Sequence, residues 1–134
     1  MITPSRNRPV PVVVYGTLRT GGALNEYYLS GMHGEAVSIK DHALRVWDHH
    51  AAYPHMVPAK GEQTVGELFW IGDPHVFTRM RVMEENAGYR TEWVDVESTS
   101  HVIEVQALAF VYHRGDVTHP VPSNDWIQFT NANV

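Results

Sequence analysis

The pattern of apolar and polar positions along the chain predicts several strands. Residues 10–15 form a compact, Val-rich apolar run that indicates a buried strand, and this run stops abruptly at Gly16. Residues 64–71 alternate between polar and apolar side chains, as a half-buried strand does. Two more strand-like segments, residues 92–96 and 102–113, flank a polar turn at 97–100. Residues 33–47 contain further strand-like pieces.

Segments rich in Pro, Gly and polar residues predict the connections. Residues 48–60 contain Pro54 and Pro58 and predict a loop, whereas residues 23–29 predict a short helix closed by Gly31. Residues 117–134 contain two prolines and an Asn-rich end, so we expect little regular structure there. Within a single domain spanning residues 1–134, we expect flexible ends at 1–9 and 127–134.

One segment has the pattern of an amphipathic helix. Asp73 is a favourable N-cap, and Pro74 suits the first helical position. At about 100° per residue, the apolar side chains that follow fall on one stripe: Val76, Phe77, Met80 and Met83.

The same helical count separates two neighbouring carboxylates. Glu84 falls about 80° from Val76, inside the apolar stripe, and Glu85 falls near 180°, on the polar side with Arg81. A carboxylate on an apolar face must be hydrogen-bonded, paired or protonated, because burying an unpaired charge is costly. From position alone two interpretations stay open. Glu84 either reaches solvent or caps the turn at residues 86–88, or it is a general acid/base with a pKa raised by burial.

Composition excludes several classes of protein. The 134 residues include no Cys, which excludes disulfides, thiolate metal sites and a cysteine nucleophile. A net charge of −5 without a basic run argues against nucleic acid as a partner. No apolar run approaches the roughly 20 residues of a membrane span. We therefore expect a soluble, cytoplasmic protein with no membrane partner.

Other catalytic or metal-binding motifs are weak. Among nine His, the close set is His49, His50 and His55, without the HxH or HExxH spacing of a metal site. We interpret these residues as part of a surface loop and expect no metal. Residues 16–22 lack the Lys-Ser/Thr pair of a phosphate-binding loop, and no GxSxG nucleophile motif is present.

Six short fragments in a fixed order give the most specific signal in the chain. They are VVYGTLR at residues 13–19, YP at 53–54, GELFWI at 66–71, MRVME at 80–84, AFVY at 109–112 and NDW at 124–126. In this order they resemble the γ-glutamylcyclotransferase-like family. The fragments extend over most of the chain, which makes the set far more specific than any one of them.

The resemblance implies an α+β fold: a small mixed β-barrel with a few flanking helices and a pocket at the barrel mouth. It implies that the α-amine of a γ-glutamyl amine or γ-glutamyl amino acid attacks its own γ-carbonyl, giving 5-oxoproline and a free amine without a metal or organic cofactor. Glu84 would be the general base and acid. The substrate-binding residues would be Tyr15, Gly16, Thr17 and Leu18, with Gly16 permitting unusual dihedrals that aim backbone N–H groups at the substrate.

Three positions depart from the family's pattern: Arg81 replaces an Asp, Glu85 a Gly and Thr91 an Arg. They leave a second hypothesis open, a non-catalytic barrel module that binds a small carboxylated ligand or a protein. Retention of Glu84 favours the enzyme. Two interpretations of Arg19 stay open: its side chain contacts a substrate carboxylate, or it lies in solvent. The aromatic residues Tyr89, Tyr112 and Trp126 either line the pocket or belong to the core.

Overall fold

Five long strands form the centre of the fold in the computed structural model, which describes residues 3–48, 51–99 and 104–132. The strands are β1 (Val10–Val14), β2 (Glu35–Val46), β3 (His55–Ile71), β4 (Arg90–Ser98) and β5 (Glu104–Val111). They follow the order β3-β1-β5-β4-β2, and β2 pairs again with β3, so the sheet closes on itself. A short strand, β6 (His119–Pro120), pairs with the end of β2.

The barrel mixes parallel and antiparallel pairs. β1 lies parallel to β5, with Val12 opposite Leu108, and antiparallel to β3. The pairs β2–β3, β2–β4 and β4–β5 are antiparallel. The prediction of an α+β fold with a small mixed β-barrel and a few flanking helices is confirmed.

Alternation along β1 divides the core into two clusters. Val13 belongs to an interior cluster with buried residues from all five long strands, including Ile39 and Val96. Val12 and Val14 point the other way, into a cluster that includes Leu29, Phe77 and Met80, the buried side chains of the first two helices. The strand that ends at Gly16 is therefore covered on both faces, and its last residues are held rigidly.

Three helices flank the barrel: α1 (Asn25–Leu29), α2 (Pro74–Asn86) and α3 (Trp126–Ala132). The start of α2 is as predicted, since the Asp73 side chain accepts a hydrogen bond from the His75 N–H at 2.8 Å and Pro74 occupies the first turn. Phe77 and Met80 are buried, which confirms the predicted apolar stripe. No helix in the described ranges is long and apolar enough to cross a membrane.

The prediction of a loop at residues 48–60 is wrong from His55 onward, because β3 begins there. Pairing with β2 explains this, since its register includes Arg45 opposite His55 and His42 opposite Pro58. The register shifts at Asp41, which lies between Lys40 and His42 and has a φ of 60°. Such a bulge is a position where a strand tolerates proline.

Two other boundaries differ from the predictions. β4 continues to Ser98, so Glu97 and Ser98 lie in the strand and not in the turn. The tail is also more regular than expected, because α3 forms there. Asp125 accepts a hydrogen bond from the Gln128 N–H at 3.2 Å, and the Trp126 side chain is buried in the interior cluster.

Candidate active site

A cavity of about 390 Å³ lies where the end of β1, the end of α2 and the segment before β3 meet. The five residues predicted for the site line it together: Tyr15, Gly16, Thr17, Leu18 and Glu84. They come from two elements far apart in the sequence, so the barrel and α2 are needed to bring them to one place.

The end of α2 fixes the backbone that carries Glu84. The N–H of Tyr89 donates to the Glu84 carbonyl at 3.1 Å, and the N–H of Gly88 donates to the Glu85 carbonyl at 3.1 Å. Gly88 has a φ of 101°, a left-handed conformation that suits glycine. These contacts form a Schellman motif, which satisfies the last carbonyls of the helix without the Glu84 side chain.

The carboxyl group of Glu84 therefore faces the cavity and does not cap the turn. Burial raises its pKa from the ordinary 4.5 to about 7, and the group has no hydrogen bond or ion pair with the residues that the structure describes. Its charge also raises the pKa of the Tyr89 hydroxyl, although burial is the larger cause. A carboxyl group in this state is able to take up or release a proton near neutral pH.

The neighbouring Glu85 is exposed, as predicted, and it contacts the other two residues that depart from the family's pattern. Its carboxylate lies 3.4 Å from the Arg81 guanidinium and accepts a hydrogen bond from the Thr91 hydroxyl at 2.8 Å. Arg81 and Thr91 are thus both partners of Glu85. None of them lines the cavity.

The strand-end turn, residues 15–22, is closed by its own backbone. The N–H of Arg19 donates to the Gly16 carbonyl at 3.0 Å, and the N–H of Leu24 donates to the Thr17 carbonyl at 2.9 Å. By contrast, the N–H groups of Gly16, Thr17 and Leu18 have no acceptor among the residues described. Unpaired backbone donors that border a cavity are available to an anionic ligand.

Gly16 is needed for a different reason from the one expected. Its φ lies outside the left-handed region, so the expectation of unusual dihedrals is wrong. A Cβ atom at this position would lie 2.8 Å from two side-chain atoms of Pro54. The carbonyl of Pro54 accepts a hydrogen bond from the Tyr89 hydroxyl at 2.9 Å. Glycine therefore allows close packing between the turn and the cavity wall.

The aromatic residues divide between the cavity and the core. The hydroxyl of Tyr15 donates to the Phe110 carbonyl at 2.7 Å, so Tyr15 presents its ring and backbone to the cavity. Tyr89 also lines the cavity. Tyr112 and Trp126 do not: the Tyr112 hydroxyl donates to Asp116 at 2.9 Å, and Trp126 lies in the interior cluster.

Arg19 contacts other protein residues, which neither alternative for it anticipated. Its guanidinium lies 2.8 Å from the Asp125 carboxylate and 3.5 Å from the Glu67 carboxylate. Glu67 also accepts hydrogen bonds from the N–H and the hydroxyl of Thr20, at 2.9 and 2.8 Å. These contacts attach the strand-end turn to β3 and to the start of α3.

His55 is buried and does not lie on a surface loop, so that interpretation is wrong for this residue. Its ring centroid lies 4.4 Å from that of Tyr112 and 5.5 Å from those of Tyr53 and Tyr89. Burial lowers the pKa of His55. His49 and His50 lie outside the described residues.

Sequence reasoning did not identify the apolar wall of the cavity as part of the site. That wall includes Leu24, Tyr53, Pro54, Met83 and Ala87. Two signals were present, because the Tyr-Pro pair is one of the six fragments and Met83 belongs to the apolar stripe of α2. Leu24 and Ala87 have no such signal in the sequence.

The fold and the cavity define a mixed β-barrel protein whose pocket combines a buried carboxyl group with unpaired backbone N–H groups. The sequence profile of the family described as "Gamma-glutamyl cyclotransferase, AIG2-like" matches residues 12–128, and the chain belongs to this family. Membership supports a cyclotransferase-type function in general. No curated protein sequence matches the chain significantly.

Solved structures show the same fold. An uncharacterized protein from Pyrococcus horikoshii has 24% identity and a TM-score of 0.71, over 92% of this chain and 95% of that one. An AIG2-like protein from Mus musculus has 16% identity and a TM-score of 0.62, over 82% and 80%. A structure described as gamma-glutamyl cyclotransferase has 12% identity and a TM-score of 0.63, over 84% and 72%. At these identities the likeness concerns the fold alone.

Proposed function

We propose that the protein is a cyclotransferase that converts a γ-glutamyl amine or γ-glutamyl amino acid into 5-oxoproline and a free amine. The α-amine nitrogen of the glutamyl group attacks the γ-carbonyl carbon, and the bond from that carbon to the leaving nitrogen breaks. The α-ammonium group loses two protons as it becomes the lactam N–H, and both end on the leaving nitrogen, which departs as an ammonium ion. The partly buried carboxyl group of Glu84 has no hydrogen-bond or ion-pair partner among the described residues, and it shares a cavity with backbone N–H groups that have no acceptor there; this supports the activity most directly.

Glu84 is suited to move that proton. The α-ammonium must lose a proton before its nitrogen can attack, and the leaving nitrogen must gain one as its bond breaks. A carboxyl group with a pKa of about 7 exists in both protonation states near neutral pH. The same side chain can therefore be the base in the first step and the acid in the second.

The strand-end turn supplies hydrogen-bond donors for negative charge. The γ-carbonyl oxygen becomes an oxyanion during the attack, and preorganised N–H groups stabilise such a charge strongly where water is excluded. The N–H groups of Gly16, Thr17 and Leu18 are available for this oxygen or for the α-carboxylate of the substrate. Because ring closure is intramolecular, holding the glutamyl chain in a bent conformation also lowers the barrier.

Release of 5-oxoproline from γ-glutamyl-ε-lysine, γ-glutamyl-alanine and glutathione tests the proposal. Glu84→Gln preserves the shape of the side chain but removes its acid/base chemistry, so we expect turnover to fall about 10²–10⁴-fold. Glu85→Gln is the matched control on the same helix and should have a small effect. Wild-type turnover in Glu84→Gln, or equal losses in the two variants, would contradict the assigned role of Glu84.

A further inference from the structure

His55 lies at the centre of a cluster of aromatic rings beside the cavity. Its ring centroid is 4.4 Å from that of Tyr112, 5.5 Å from those of Tyr53 and Tyr89, and 5.9 Å from that of Trp47. The Tyr89 ring is nearly parallel to the imidazole, whereas those of Trp47 and Tyr112 approach edge-on. Aromatic rings in such arrangements attract one another beyond the area that they bury. His55 therefore holds four other rings in defined orientations.

The imidazole of His55 does not itself reach the cavity. His55 is only 4% exposed and is not among the residues that line the cavity. Its Nδ1 atom is buried and has no hydrogen-bond partner among the described residues. An unpaired buried nitrogen costs stability, which points to a role for this histidine other than stabilising the core.

The ring is mainly uncharged at neutral pH. Burial lowers the pKa of His55 from the ordinary 6.5, although the nearby carboxylate of Asp116 opposes this effect. Asp116 already accepts a hydrogen bond from the Tyr112 hydroxyl at 2.9 Å. The other titratable side chains in contact with the imidazole are tyrosines, and phenol groups carry no charge at this pH. The imidazole therefore packs as a neutral aromatic ring.

Tyr89 connects His55 with the carboxyl group of Glu84. Its ring stacks on the imidazole, and the charge of Glu84 contributes, after burial, to the raised pKa of its hydroxyl. That hydroxyl donates to the Pro54 carbonyl at 2.9 Å. Two consecutive residues, Pro54 and His55, thus hold Tyr89 at the side of the cavity that contains Glu84.

Tyr53 forms the outer part of the same wall. It is 51% exposed, lines the cavity, and its ring contacts the imidazole at an angle of 44°. Glu84 is the only charged side chain of the described ranges that lines the cavity. Its raised pKa therefore depends on how well the surrounding side chains exclude water. Displacing the rings of Tyr53 and Tyr89 would admit water to the carboxyl group.

We propose that His55 is a positioning residue of the active site: its imidazole holds the rings of Tyr53 and Tyr89 as a wall that limits the access of water to Glu84. The proposal rests on the proposed function, because this wall maintains the surroundings in which Glu84 takes up and releases a proton. No fragment of the family's pattern includes His55, which directly follows the YP fragment.

Variants with and without an aromatic ring at position 55 test the proposal. His55→Leu and His55→Gln remove the ring, whereas His55→Phe keeps a ring and removes both nitrogen atoms. The pKa of Glu84 is measured by ¹³C NMR titration of its carboxyl carbon, with the signal assigned by its absence in Glu84→Gln. We expect this pKa to fall from about 7 toward 4.5 in the two ringless variants and to stay near 7 in His55→Phe.

The rate should follow the same division. In the ringless variants kcat for 5-oxoproline release should fall about 10- to 100-fold, because the wall no longer holds Glu84 in its surroundings, and His55→Phe should restore most of the loss. Val96→Ala is the control, since Val96 is fully buried in the interior cluster and does not line the cavity. This variant loses stability in urea unfolding, yet the pKa of Glu84 and kcat should change little.

The outcomes separate the proposal from the function on which it rests. An unchanged pKa of Glu84 and an unchanged kcat in a folded ringless variant would overturn the role of His55 and leave the cyclotransferase function standing. Losses in His55→Phe equal to those in the ringless variants would also overturn it, because the ring would then not be the cause. The NMR titration needs no substrate. The expected pKa changes, without 5-oxoproline release by the wild type from any of the three substrates named above, would refute the function and support the wall.

Discussion

Replacing Glu84 by Gln should stabilise the protein relative to the wild type, and this gain in stability should be larger at alkaline pH than at acid pH. The carboxyl group has a pKa of about 7 in the folded protein because it is buried, against an ordinary value of 4.5. Between these values the folded state keeps a proton that the unfolded state has released. Stability contributed by the neutral carboxyl group is fully present below about pH 4.5 and is lost as pH rises through about 7.

The size of the effect follows from the two pKa values. Their difference corresponds to about 3 kcal/mol, at about 1.4 kcal/mol for each pKa unit. By linkage, the raised pKa of Glu84 lowers the free energy of unfolding by about 1 kcal/mol at pH 5 and by about 3 kcal/mol at pH 8. Gln stays neutral at every pH, so the variant avoids this cost. Any constant effect of the amide on packing appears equally at both pH values and cancels from the comparison.

Urea unfolding at pH 5 and pH 8 measures this difference without requiring a substrate. The free energy of unfolding of Glu84→Gln, minus that of the wild type, should increase by about 2 kcal/mol or more between the two pH values. Glu85→Gln provides the control, because it changes only exposed contacts: the ion pair with Arg81, which contributes less than about 1 kcal/mol, and the hydrogen bond from Thr91, which the Gln side chain can still accept. If the difference in free energy of unfolding between Glu84→Gln and the wild type did not grow with pH, the carboxyl group would not be buried and uncharged, and the proposed mechanism would lose its basis.

Three other predictions concern the rate, the helix end and the turn. Because Glu84 must be ionised to act as a base, kcat/KM should fall as pH drops below about 7, and a flat profile from pH 5 to 8 would contradict this. Gly88→Ala should cost about 1 kcal/mol in urea unfolding, because its Cβ meets nothing closer than 3.9 Å and only the positive φ is unfavourable. Gly115→Ala, without a positive φ or a close neighbour, should be nearly neutral. Thr17→Pro removes a free N–H and should reduce turnover by about 10²–10³, whereas Thr17→Ala keeps the N–H and should be mild; circular dichroism must first show that both variants are folded.

The position of Glu84 could be predicted because local rules determine it. A capped amphipathic helix has a fixed angular period, so the side on which each residue lies follows from its sequence separation. The N-cap at Asp73 and the buried Phe77 and Met80 confirm that period. The stripe predicts the side of the helix on which Glu84 lies, whereas the choice between a buried and a solvated carboxyl group needs the segments that pack around the helix end.

The features that the sequence did not predict depend on contacts between distant segments. Gly16 is required by the side chain of Pro54, which approaches only after the barrel has formed. The first part of β3 contains Pro58 and was predicted as a loop, yet pairing with β2 keeps it extended. The helix α3 begins at Trp126, whose burial inside the barrel stabilises a segment with weak local signals.

The ion pairs of Arg19 give a physical reason why separate fragments of the family's pattern occur together. Arg19 lies in the strand-end turn, Glu67 lies in the GELFWI fragment on β3, and Asp125 lies in the NDW fragment before α3. A guanidinium group between two carboxylates makes the three segments dependent on one another, since removing Arg19 would leave both partly buried carboxylates without their counter-charge. Glu67 also binds Thr20, so the same contacts hold the turn whose N–H groups border the cavity. These three fragments, each unspecific in the sequence, are therefore parts of one structural unit that holds the strand-end turn.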